Sequence, residues 1–212
     1  MNKKISVLFL LAIIVIPLSN SAFAHTSHVV GDYKIKVGWD DEDATAGIKN
    51  IIVVQVFDAT EFDKQSAAKM DPMNNEANAD DTSNDGEGID NLSNDLNVEV
   101  TIGDKTIPLN LEETRFSGVY FAKFMPGVAG SPEIHVTGNI LETPVDVTFH
   151  PEEIAELSTL SPLKQIEHEI YPSDVQCKDT LELFMRIQTE SAVCVSPENG
   201  QKLMELGVID YF

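Results

Sequence analysis

The chain has little cysteine, little tryptophan and little positive charge. Two cysteines and one tryptophan occur in 212 residues. Lys and Arg number 14 against 35 Asp and Glu, a formal charge of −21 at pH 7. A surface that acidic repels nucleic acid and anionic lipid, so both drop out as partners. No apolar run beyond residue 16 is long enough to cross a bilayer, which takes roughly 20 residues. Gly-x-Ser-x-Gly, His-Glu-x-x-His and the phosphate-binding P-loop are all missing. Without a nucleophile or acid–base motif, the sequence does not read as that of an enzyme.

The first residues read as an export signal, residues 1–24. Lys3 and Lys4 form a positive start, residues 5–16 are apolar, and Ala22-Phe23-Ala24 is a small-x-small cleavage site. Cleavage there makes the chain secreted, or pseudoperiplasmic, and free of the membrane, with His25 as its new start. In an exported chain the pair Cys177 and Cys194 reads first as a disulfide. The chain-entropy estimate for a loop of that length is ~3 kcal/mol. The alternative is a thiolate metal site, but no His lies between the two cysteines.

Residues 31–59 organise the rest. Tyr33, Ile35, Val37 and Trp39 alternate with Lys34, Lys36 and Gly38, the period of a half-buried strand. Residues 51–57 are almost continuously apolar and β-branched, as in a central strand. Further alternation falls at residues 97–102, 118–124, 133–137 and 145–149, and a Gly103-Asp104 turn leads into residues 105–109. About seven short strands with turns between them predict an immunoglobulin-like antiparallel β-sandwich over residues 25–150. The chain lacks the Cys–Trp–Cys spacing of antibody domains. Pro108 and Pro144 suit edge strands or strand starts.

Residues 60–96 interrupt the sandwich with an insertion rich in Asp, Asn, Glu and Ser, read as a disordered acidic loop with at most a helical turn at residues 67–70. Asp81, Ser83, Asp85 and Gly86 match the opening of an EF-hand loop, but its twelfth position is Leu92 where a bidentate Glu belongs. The default is a solvated loop. Residues 151–212 then change character. A short helix is expected at residues 152–157, helix starts at Ser161-Pro162 and Ser196-Pro197, a helix stop at Gly207, and a hairpin from residues 180–187 and 192–195 held by the cysteines. Together they make a small disulfide-stapled α/β module.

These residues resemble two kinds of exported protein. The tail, with SPLKQ at residues 161–165, Pro-x-Asp-Val-x-Cys-Lys at 172–178 and Cys-Val-x-Pro at 194–197, resembles a module on exported proteins of ammonia-oxidising archaea. The front part has GDY-x-I-x-VGW at 31–39 and an Ala46-Gly47-x-x-Asn50 turn. It also has Gly138-x-Ile140-x-x-Thr143-Pro144-Val145 ahead of His150. It is similar to archaeal exported sandwiches and, further off, to YtkA-like and copper-resistance protein C-type domains. The resemblance implies an extracytoplasmic sandwich and, as cofactor, copper. The Asp-x-His pair of the copper-resistance family is not present, and Glu133-Ile134-His135 stands nearest to it.

Five histidines are available. The free amine and imidazole of His25 could chelate Cu(II) together, with His28 three residues on. His135 and His150 fall on the polar side of their strands, and Asp32 or Glu133 could add oxygen. His168 lies on an exposed helix of the tail. The tentative metal set is therefore His25, His28, His135 and His150. A histidine brace for oxidation chemistry would need an open axial position and a substrate surface besides. The competing possibility needs no metal: a structural or interaction domain of the cell exterior, whose acidic insertion docks a protein partner.

Overall fold

The computed structural model describes residues 26–40, 44–68, 77–78 and 85–212. The signal segment, His25, Asp81 and Ser83 lie outside the described residues.

The chain opens with β1 (Thr26–Val30), β2 (Tyr33–Trp39) and β3 (Asn50–Asp58), a meander of antiparallel pairs. Strand β1 pairs with β2 across the Gly31-Asp32 turn, from Val30 opposite Tyr33 to Thr26 opposite Val37. Helix α1 (Glu61–Ala67) and the two-residue β4 (Ala77–Asn78) follow. Next come β5 (Leu96–Ile102), β6 (Lys105–Leu109), β7 (Glu112–Glu113), β8 (Val119–Phe124), β9 (Glu133–Ile140) and β10 (Thr143–Phe149). They form a six-stranded sheet, β4-β1-β2-β3-β8-β7, and a four-stranded sheet, β10-β9-β5-β6. All pairs within both sheets are antiparallel. Pro108 and Pro144 sit on the two edge strands of the smaller sheet, where a missing N–H removes no ladder bond.

Alternation decides the core. Ile35 and Val37 of β2, Ile52, Val54 and Val56 of β3, and Tyr120 of β8 face inward from one sheet. Val98, Val100, Ile134, Val136 and Phe149 face them from the other. The fold is thus an immunoglobulin-like β-sandwich, mainly β. Trp39 closes one end: it stacks with Phe124 at 6.4 Å and donates its indole N–H to the Glu152 carbonyl at 3.0 Å.

The acidic insertion is only partly a loop. Thr60 caps α1 and forms a capping box with Asp63, so the helix starts before the expected turn at residues 67–70. Residues 85–95 are packed into the sandwich. Leu92 is a core residue, which is why an apolar side chain holds the position an EF-hand gives to Glu. The Tyr120 hydroxyl donates to the Ile89 carbonyl at 2.6 Å and accepts the Leu92 N–H at 3.1 Å. This tie resembles the tyrosine corner of immunoglobulin-like domains. Gly88 lies so close to Ser117 that a Cβ would collide with its carbonyl oxygen.

Beyond β10, residues 152–156 are extended and contain no helix, with Ile154 bridging Gly130 and Ala155 bridging Thr45. Those backbone bonds to the sandwich outcompete a short isolated helix. Helix α2 (Pro162–Glu167) is capped by Ser161, whose hydroxyl accepts the Lys164 N–H. Strands β11 (Glu182–Arg186), β12 (Ser191–Val195) and β13 (Ile209–Asp210) form a three-stranded sheet, with α3 (Pro197–Glu205) between β12 and β13. The disulfide Cys177–Cys194 ties the segment before β11 to β12. Gln165 is fully buried; its amide donates to the carbonyls of Leu160 and Gln176 and accepts the Gln176 N–H, joining α2 to the cysteine segment.

Candidate functional site

The six-stranded sheet has two outer regions that differ in kind. The outer face of β2 is covered. Lys34 and Lys36 point away from the core, as alternation demands, yet both are buried. Lys34 Nζ lies 2.8 Å from Asp63 Oδ1 and 3.3 Å from Asp85 Oδ1, and Lys36 Nζ lies 2.7 Å from Asp85 Oδ2. The ammonium of Lys36 also stands 5.7 Å from the centre of the Phe57 ring. Asp63 comes from α1 and Asp85 from the returning end of the insertion, so two lysines pin both ends of the insertion to β2. Strand β2 is consequently covered on both sides, not half-buried as its alternation suggests. Burial opposes ionisation of Asp63. The hydrogen bonds from Lys34 and from the Thr60 hydroxyl and amide outweigh it, and the carboxyl is held below the ordinary carboxylate range.

Among the described residues the neighbouring outer face, over β3 and β8, is partly exposed. Here Ile51, Val53 and Gln55 lie beside Lys123, Phe121 and Val119, their partners in register. The run of β-branched residues in β3 gives that strand an apolar outer side in addition to its core side. Phe116, 60% exposed, and Arg115 rise beside it, with the guanidinium 4.9 Å from the Phe116 ring centre. The result is a groove of about 610 Å³ running from Asp40 and Trp39 to Val119 and Tyr120. That volume lies within the roughly 300–1,000 Å³ of ordinary ligand sites. A smaller notch of about 280 Å³, lined by Asp90, Asn91, Glu113 and Ser117, shares the 114–116 loop with it. The Tyr120 hydroxyl at this junction has its pKa raised, first by burial and then by the charges of Glu113, Asp90 and Asp95, against the Leu92 N–H bond that lowers it.

The histidines are placed apart. His28 lies on the core side of β1, edge-on to Phe149 at a centroid distance of 4.9 Å. His135 is on the outer side of β9, with Nε2 2.8 Å from Asp146 Oδ1. The four-stranded sheet therefore separates His28 from His135. His150 is exposed just after β10, and His168 ends α2. His25 lies outside the described residues. Among the described residues no three His, Cys, Asp or Glu side chains gather as a metal site would require. Asp32 pairs with Lys64 at 2.7 Å. Cys177 and Cys194 are joined to each other, which excludes a thiolate metal site.

The groove was legible in one respect only. A sandwich strand needs one apolar face, and the unbroken run in β3 supplies two. Phe116 and Arg115 gave no periodic signal, because they lie in a loop.

No family model matches the chain, and no curated protein matches it. Among solved structures it is similar to the one described as the crystal structure of the Lin-41 filamin domain. The identity is 15% and the TM-score 0.34, over 59% of this chain and 97% of that one. Among the described residues no helix is long and apolar enough to cross a membrane.

Proposed function

We propose that the protein is an exported, non-catalytic binding module of the cell exterior, and that its working surface is the groove over β3 and β8. The observation that carries this reading is the apolar outer face itself. Ile51, Val53, Val119 and Phe121 form a continuous apolar floor on a chain with a formal charge of −21. A concave groove with an apolar floor and a few polar groups at its rim is the default binding-site reading. The disulfide supports an oxidising compartment, and the export signal read in residues 1–24 agrees with it.

An uncharged apolar dye, Nile red, tests the groove without any contribution from charge. The expected result is one saturable site on the mature protein, weakened at least tenfold in the Ile51→Ser/Phe116→Ala double variant. Both side chains are exposed, so the variant keeps its core. No dye binding by the unsubstituted protein, or unchanged binding in the variant, would remove the groove as a site. For copper, which the resemblance implies, the residue proposed first is His25. A Cu(II) titration of the mature chain and of His25→Ala decides it: tenfold weaker binding in the variant would assign a terminal chelate.

A further inference from the structure

We propose that the occupant of the groove is a polypeptide segment of another protein that carries apolar side chains flanked by lysine or arginine. This names the partner of the site proposed above and rests on that reading. The argument is charge complementarity at both ends of an apolar floor. Asp40, whose amide donates to the Ile51 carbonyl, stands at one end. At the other end, by Val119 and Tyr120, the notch presents Asp90 and Glu113. Arg115 is the one cation lining either hollow among the described residues, against the three carboxylates of Asp40, Asp90 and Glu113.

The wider surface favours the same sign of partner. Lys34, Lys36, Lys64, Lys123, Lys164 and Lys202 are all tied in internal ion pairs. Lys34 and Lys36 are buried in their pairs, and the field of a chain with a formal charge of −21 is negative. Such a field speeds encounter with a cationic segment and rejects an anionic one. The floor from Ile51 to Gln55 spans about 13 Å of extended chain. Two apolar side chains of a bound strand would lie over that length, with a basic residue beyond each end.

The probe is a labelled peptide, Gly-Lys-Thr-Val-Thr-Val-Thr-Lys-Gly, measured by fluorescence anisotropy against the mature protein. Two control peptides replace both Lys by Glu, or both Val by Ser. The expected result is saturable one-to-one binding, at least tenfold weaker for each control peptide and in Ile51→Ser/Phe116→Ala. Asp40→Asn/Glu113→Gln should weaken the Lys peptide at least threefold and bring its affinity closer to that of the Glu peptide. Equal binding of the Glu peptide overturns the inference while the dye site still stands. Undiminished binding of the Ser peptide, or of the Lys peptide to the apolar double variant, shows unspecific attraction and also overturns it. A mature protein that sediments as a dimer, and as a monomer after Phe116→Ala, gives the groove to a second copy and overturns it too. Loss of both dye and peptide binding removes the parent reading with it.

Discussion

Replacing Lys34 by Met tests whether the acidic insertion is fastened to the sheet. The methionine keeps the length and apolar stem of lysine and removes the ammonium. In the wild type the Lys34 side chain is 7% exposed and Asp63 is 9% exposed. Breaking a buried pair by removing one partner costs about 3–5 kcal/mol, because a charge stays behind without compensation. Here Asp63 retains the hydroxyl and amide of Thr60, and Asp85 retains Lys36. The expected loss is therefore at the low end, about 3 kcal/mol. Urea unfolding followed by tryptophan fluorescence is a suitable assay. Trp39 is the one tryptophan and is 4% exposed, so its emission reports the core directly. The double variant Lys34→Met/Asp63→Asn should lose less than the sum of the single variants, with a coupling of about 1 kcal/mol or more. A loss below about 1 kcal/mol for Lys34→Met would show that these charges stay hydrated, as surface pairs do, and that α1 is not seated on β2.

Three further outcomes follow from the same structure. Because the folded Asp63 carboxyl is held below its unfolded value, near 3.9, its contribution is complete above that value and disappears as pH falls through the lowered one. Wild-type stability should thus fall more steeply below about pH 4 than that of Asp63→Asn, as read by urea midpoints across pH. Tyr120→Phe leaves the Leu92 N–H and the Ile89 carbonyl without their buried partner, at about 1–3 kcal/mol by thermal or urea unfolding. Cys177→Ser opens a loop of sequence separation 17 and should lower stability by about 3 kcal/mol, seen as earlier proteolysis of the tail, with dye binding in the groove unchanged.

Much of the fold was legible because it depends on period two. The alternation of β2, β5, β9 and β10 puts the expected residues in the core, and the two strand prolines fall on sheet edges. Two of the motifs on which the resemblance was read mark fold-building positions. Gly31 takes a positive φ of 60° in the β1–β2 turn. Asn50 accepts the Thr45 N–H and donates to the carbonyls of Thr45 and Ile48, each at 2.9 Å, clamping the loop before β3. Composition misled where charge was taken for solvation. Asp63 and Asp85 belong to an acidic stretch, but their partners are lysines about 30 and 50 residues earlier, on β2, and no local pattern shows such pairing. Leu92 and Ile89 were the sparse apolar signals that the end of the insertion returns to the core. The histidines illustrate the limit of face assignment. Alternation placed His135 outside correctly, but only the packing of the two sheets shows His28 on the opposite side of the intervening sheet.

The most direct test of the groove as the binding surface is an amide chemical-shift map of the isotope-labelled mature protein, titrated with the Lys–Val peptide. The predicted shifts fall on residues 51–55 and 114–121, with the outer face of β9 and β10 unmoved. Shifts spread evenly over the acidic surface, or confined to residues outside β3 and β8, would contradict the assignment.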